Sequence, residues 1–256
     1  MIIDYHMHTK ASPDGSGEFE DFIKEAKKKG IDEIGFSEHA MDVPRRPMDF
    51  MDGYVQRFLE IRKCSEIPVK LGVEADFFPE EVEEISVFIR KYPFDYVIGS
   101  VHCLKGWLID SSSQMHAYLK KDILQVYEEY FETVGMLCES RLFDILGHPD
   151  LIKIFGFKPN HDIEDILEKT AEKIAENGAC AEVNASGLVK KCAEIYPSRQ
   201  FLEILRKHDV PIAFGSDAHK PEDVGRHFDK ALKLARTVGY THSCRFEDRK
   251  RENVKI

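Results

Sequence analysis

"MIIDYHMHTKASPDGSGEFEDFIKEAKKKGIDEIGFSEHA", residues 1–40, reads as strand, helix, strand. "MIID" is an apolar run. "EFEDFIKEAKKKG" sets apolar residues three and four apart and closes on Gly30, and "IDEIGFS" is a second apolar run. The same unit recurs along the chain. Helical "GYVQRFLEIRKC" precedes the strand "PVKLGVEA", and "EEVEEISVFIRKY" precedes "FDYVIGSVH". A long helical stretch, "HAYLKKDILQVYEEYFETVGMLCES", leads to "LFDILGHPD"; "IEDILEKTAEKIAENG" leads to "ACAEVNAS". "SRQFLEILRKHD" leads to "PIAFGSDAH", and "DVGRHFDKALKLARTVG" ends the series. Repeated β-α alternation predicts a parallel sheet covered by helices. Seven units without a low-complexity linker or internal repeat suit a (β/α) barrel, complete or incomplete, as one domain over residues 1–256. A doubly wound open sheet gives the same alternation and is the alternative.

The 256 residues are 43% hydrophobic and 32% charged, the composition of an ordinary globular protein. No apolar run approaches the roughly 18–20 residues that span a bilayer, so no membrane role is expected. The start "MIIDYH" has neither a basic leader nor a long apolar segment, and a cytoplasmic location is expected. A formal net charge of -10 argues against a nucleic-acid partner, which needs a basic face. It leaves room for a small anionic substrate where bound cations reverse the local charge. Six cysteines are scattered without a CxxC pair and read as reduced, mostly structural thiols. Nothing in the sequence fixes the oligomeric state.

The informative residues stand where each predicted strand stops. Strand one ends in His6 and His8, which share a direction because strand side chains alternate. The following ends carry Glu38 and His39, Glu74 and Asp76, His102, His148 and Asp150, Glu182 and Asn184, and Asp217 and His219. Any one of these alone is an ordinary turn or capping residue. Parallel β/α folds, however, bring all the carboxyl ends of their strands to one rim. Imidazoles and carboxylates together are a ligand set for zinc, manganese or iron rather than calcium. So many candidates exceed the four ligands of a single ion, and two or three divalent ions are expected. The remaining histidines (116, 161, 208, 227 and 242) fall in predicted helices, helix starts or the tail and read as surface residues. The terminal "RFEDRKRENVKI" reads as a solvated tail or a last edge strand.

The ordered segments "DYHMHT", "SPDGSG", "FSEH", "GVEAD", "GSVH", "GHPD", "VNASG" and "GSDAH" resemble the polymerase and histidinol phosphatase (PHP) superfamily. Within it, residues 2 to about 240 resemble the bacterial histidinol-phosphate phosphatases of histidine biosynthesis. The resemblance implies a distorted seven-stranded (β/α)7 barrel with the metals at the C-terminal rim of the strands. It implies that His6, His8, Glu74 and Asp217 hold one metal, and that Glu74 bridges to a second with His102 and His148. His39 and His219 would hold a third, with Asp14 where several relatives place a histidine. Lys190, Lys191 and Arg199 follow strand six, and the resemblance suggests that basic residues there bind phosphate. Arg199 is favoured for its bidentate fork.

Such a cluster suits phosphomonoester hydrolysis, with a metal-bound hydroxide attacking phosphorus. The implied substrate is L-histidinol phosphate; another small phosphoester or a nucleotide is the alternative. Glu74, Asp217 and His219 are the candidate catalytic residues, and the proton donor stays open among Asp217, His219 and water. Glu38 is a candidate for steering the substrate amine, or a buried support. A non-catalytic metal-binding domain is disfavoured by the full ligand set. Amidohydrolases share the HxH start, but Glu74 with "GSVH" favours phosphatase chemistry. Cys103 sits beside a ligand and reads as a structural thiol.

Overall fold

Helix α1 (Phe19–Lys28) turns Phe19, Phe22, Ile23 and Ala26 inward, the i, i+3, i+4, i+7 stripe that its sequence announces. The same logic places α2 (Met51–Cys64), α3 (Val82–Lys91), α4 (Ile123–Ser140), α5 (Glu164–Asn177), α6 (Arg199–Lys207) and α7 (Phe228–Val238) against the strands. The computed structural model describes residues 1–42, 46–47 and 51–256. In chain order its strands are β1 (Ile3–Asp4), β2 (Glu33–Phe36), β3 (Met41–Asp42), β4 (Arg46–Pro47), β5 (Val69–Leu71) and β6 (Glu74–Asp76). There follow β7 (Ile98–Ser100), β8 (Cys103–Leu104), β9 (Trp107–Leu108), β10 (Ile145–Leu146), β11 (Cys180–Asn184), β12 (Ile212–Gly215), β13 (His242–Glu247) and β14 (Lys250–Lys255).

All seven predicted strands form, but they divide between two parallel sheets. One has the order β1-β2-β5 and the other β12-β11-β10-β7-β6. The division has a local cause in the third predicted strand. It breaks at Gly72 and Val73, so that β5 pairs with β2 while β6 pairs with β7. A Cβ at Gly72 would lie 2.2 Å from the Tyr96 ring, so only glycine lets the chain pass there. At the two seams the pairing is short: Tyr5 N–H to Phe214 O at 3.0 Å, His8 N–H to Ala218 O at 2.8 Å and Ala218 N–H to His6 O at 3.3 Å at one, and Glu74 N–H to Glu38 O at 3.1 Å and Ala40 N–H to Glu74 O at 2.8 Å at the other. The ladders among the described residues therefore close no seven-stranded barrel; what they form is an α/β fold of two parallel sheets.

The helical stretch expected at 116–140 also divides. A 3-10 segment, Ser112–Lys120, precedes α4, because the Asp122 side chain caps the Leu124 and Gln125 amides at 2.9 and 3.3 Å. The C-terminal segment forms the antiparallel hairpin β13–β14. It lies against the residues that open the strands. The Arg245 guanidinium meets Glu33 at 2.9 Å, Arg249 pairs with Asp144 and reaches Leu142 O at 2.6 Å, and Phe246 packs on Tyr5 and Tyr96. The hairpin thus covers the end of the sheets opposite the strand termini that carry the polar residues. The six cysteines are thiols, four of them buried. Among the described residues no helix is long and apolar enough to cross a membrane.

Candidate metal centre

Beyond β1, Met7 turns into the core while His6 and His8 share the other direction, their ring centroids 5.1 Å apart. This segment runs beside the one that leaves β12: His8 N–H donates to Ala218 O at 2.8 Å, and Met7 bridges Ala218 in parallel. Asp217 and His219 are thereby set next to the two histidines. The main chain at Asp217 has φ +53°, and that at His148 has φ +24°. Two of the converging side chains thus stand on left-handed backbone that non-glycine residues seldom adopt.

Glu74, at the start of β6 and 2% exposed, is the centre of the cluster. Its Oε2 lies 3.2 Å from His6 Nε2, 3.4 Å from His8 Nε2 and 3.1 Å from His39 Nδ1. Its Oε1 lies 3.0 Å from His148 Nε2 and 3.6 Å from His102 Nε2, and accepts the Ser100 hydroxyl at 2.6 Å. Asp217 Oδ1 stands 3.7, 3.6 and 3.6 Å from ring nitrogens of His6, His8 and His219. Asp14 Oδ2 completes the outer edge, 3.1 Å from His219 Nε2 and 3.6 Å from His39 Nε2. All nine residues expected as ligands converge. Three groupings bring their ligand atoms within 4.8 Å of one another: His6, Glu74 and His148; His6, His8 and Asp217; and His8, His39 and His219.

Around them stands a set of supports. Glu182 Oε1 meets His6 Nδ1 at 2.7 Å and its Oε2 accepts the His148 amide at 2.6 Å. Asp76 bonds His102 Nδ1, and Ser186 donates to Asp217 Oδ2 at 3.1 Å. Glu38 is fully buried. Its oxygens accept the Thr9 amide at 2.9 Å and the Ser12 hydroxyl at 2.6 Å, which ties down the loop carrying Asp14. Asp150 likewise accepts Lys153 Nζ at 2.8 Å and the Ser198 amide at 2.7 Å. Lys190 and Arg199 stand apart from this network. Both are exposed, and Arg199 Nε pairs with Glu203 at 2.8 Å. Glu182 had a signal in the sequence, its place in "EVNAS" at a strand end, but no sequence rule assigns it a partner.

The electrostatics fit a cation site. Burial opposes charge on His6, yet the carboxylates of Glu182, Glu74 and Asp217 outweigh it and hold its pKa well above the ordinary value. Burial likewise opposes ionisation of Glu74, but His6 and His102 hold its carboxyl well below the usual range. His102 is pushed up to about 10 by Asp76 and Glu74 against burial, whereas burial and the neighbouring His39 press His8 down to about 3. Protons on several imidazoles thus balance the carboxylates, and cations in their place would do the same. His6 Nε2 and both ring nitrogens of His8 are buried without a hydrogen-bond partner. With such protons exchanged for cations, these nitrogens, facing carboxylate oxygens over less than 4 Å, are a fitting donor set for zinc, manganese or iron.

Comparison with known proteins bears on the family. The family model of the PHP domain matches residues 4–186, and that of the PHP-associated segment matches residues 198–228. A probable histidinol-phosphatase of Deinococcus radiodurans is 30% identical over 247 residues, covering 93% of this chain and 94% of its own. The histidinol-phosphatase of Bacillus subtilis is 29% identical over 262 residues, covering 90% and 98%. Among solved structures, the histidinol phosphate phosphatase of Lactococcus lactis, complexed with zinc, L-histidinol and phosphate, superposes with a TM-score of 0.87. It covers 98% of both chains at 22% identity, a likeness of fold.

Proposed function

The chain belongs to the PHP domain family, and from that premise we propose that it is a histidinol-phosphatase. It hydrolyses the phosphomonoester of L-histidinol phosphate to L-histidinol and phosphate. The observation that carries this reading is Glu74, whose two oxygens face five imidazoles from four different strand ends. Relatives that align over nine-tenths of the chain and are named for this reaction support it.

His6, His8, Glu74 and Asp217 would hold one ion, Glu74 with His102 and His148 a second, and Asp14, His39 and His219 a third. When bound, such ions supply neutralisation of phosphate oxygens and acidification of a water molecule. The chain's own residues set the direction of approach. His6 and Glu74 are buried, whereas the Asp14 side chain is 56% and that of His219 31% exposed. The phosphate therefore enters over the Asp14–His219 edge. There His219, hydrogen-bonded through Nδ1 to Asp217 O at 3.0 Å, is the most exposed imidazole of the site, and with the third ion absent its Nε2 would be free to pass a proton to the leaving alkoxide. Lys190 and Arg199 are the proposed cations for phosphate; Lys190 directly follows the 3-10 turn Ser186–Val189, whose Ser186 is bonded to Asp217, and Arg199 opens α6. The seven strand-helix units are read as one domain, a distorted (β/α)7 barrel interrupted at two seams; the backbone bonds across the seams support that reading.

The test is a panel of phosphomonoesters assayed on zinc-, manganese- and iron-loaded protein with metal content measured on the same samples. The expected result is a strong preference for L-histidinol phosphate, and loss of both metal and turnover in His6→Ala. Preference for a different phosphoester would change the substrate and leave the chemistry standing. No turnover with any ion would overturn the reading.

A further inference from the structure

Strand β11, Cys180–Asn184, is buried along its whole length, and Glu182 is the one acidic residue among Cys180, Ala181, Val183 and Asn184. It is 1% exposed, and an anionic side chain in such a strand needs donors for both oxygens. Its two donors belong to residues that would hold different ions. His6 Nδ1 lies 2.7 Å from Oε1, and the His148 amide donates to Oε2 over 2.6 Å.

We infer that Glu182 is a positioning residue that organises both halves of the metal centre at once, fixing the ring of His6 and the backbone of His148. The bond to Nδ1 directs the His6 proton to that nitrogen. Nε2, 3.2 Å from Glu74 Oε2, then keeps its lone pair for a cation. The bond to the His148 amide holds a main chain at φ +24°, from which the His148 ring reaches Glu74 Oε1 at 3.0 Å. One carboxylate thus determines the aim of two imidazoles that face opposite oxygens of Glu74. The surrounding chain is shaped to admit it: a Cβ at Gly215 would lie 1.8 Å from Glu182 Oε1 and 2.6 Å from His6 Cβ. Glycine at 215 is therefore what lets the glutamate and the histidine lie side by side.

The inference rests on the metal reading above, and its test separates the two. Glu182→Gln keeps the size of the side chain but turns an amide NH2 toward one of two N–H donors, so it satisfies only one of them. Zinc affinity, measured by chelator competition with elemental analysis, is expected to fall about 10- to 100-fold. The loss should fall on more than one bound ion, because His6 and His148 would hold different ions. Glu182→Asp, a methylene shorter, should not restore it, since it cannot span both donors. A second measurement needs no variant at Glu182. In zinc-loaded protein, the His6 ring, assigned by the signal lost in His6→Asn, should carry its proton on Nδ1 in long-range 1H–15N spectra. Zinc affinity and stoichiometry unchanged in Glu182→Gln, or a His6 proton on Nε2, would overturn this inference alone. A wild-type chain that binds no zinc would instead remove the metal reading beneath it.

Discussion

At the scale of the residue, the convergence of the candidate ligands was legible because it rests on one geometric rule: parallel strands end together. His6, His39, Glu74, His102, His148 and Asp217 could be named from seven strand ends without knowing how the sheets join. What a neighbouring carboxylate does was less legible, since that depends on which groups the fold turns toward it. Glu38 is the instructive case. The sequence left it between steering a substrate amine and supporting the site, and in the structure both oxygens accept bonds from the loop that carries Asp14. Glu38→Ala should therefore cost about 1–3 kcal/mol in urea unfolding, from the Thr9 amide and Ser12 hydroxyl left unpaired. Unchanged stability with a raised KM for histidinol phosphate would restore the substrate role. Arg199 makes the opposite prediction. Exposed and held only by Glu203, it should on replacement by alanine leave stability within about 0.5 kcal/mol. KM should rise at unchanged metal content; unchanged kinetics would remove Arg199 from the phosphate site.

At the scale of the element, periodicity located every strand and helix of the alternation, but not their interruptions. Gly72 looks like any glycine within an apolar run. Its effect comes from Tyr96, which occupies the space a Cβ would need and lies just before β7, more than twenty residues on. The division before α4 has a local signal, Asp122, yet only the backbone shows that it starts a new helix. The C-terminal hairpin was the least legible element, because its charged sequence resembles a solvated tail. Three contacts make it part of the fold: Phe246 buried against Tyr5 and Tyr96, Arg245 on Glu33, and Arg249 on Asp144. Phe246→Ala should accordingly destabilise by about 3–5 kcal/mol, the ordinary cost of deleting a buried aromatic ring. Thermal unfolding followed by circular dichroism measures it; a change under 1 kcal/mol would show the hairpin to be an appendage. Because the hairpin covers the far end of the sheets, metal content should stay at the wild-type value in the folded variant.

At the scale of the whole molecule, the candidate metal centre draws its side chains from both parallel sheets. His6 and His8 follow β1 of one sheet, whereas Glu74, His102, His148 and Asp217 belong to strand ends of the other. At both seams the backbone pairing is short. Ions held by these side chains would link the two sheets, and a ligand that binds only the folded chain stabilises it by mass action. Free zinc at 1,000 times its dissociation constant would add about 4 kcal/mol. For a chain of this size each kcal/mol moves the melting temperature by roughly 2–4 °C. Zinc-loaded protein should therefore melt roughly 8–16 °C above the same protein in chelator. His6→Ala, which removes a ligand contributed across the seam, should lose most of that increment while keeping the melting temperature of the chelated wild type within a few degrees. Equal melting temperatures with and without zinc, in protein shown to carry the ion, would mean that the sheets are held together without the metal centre.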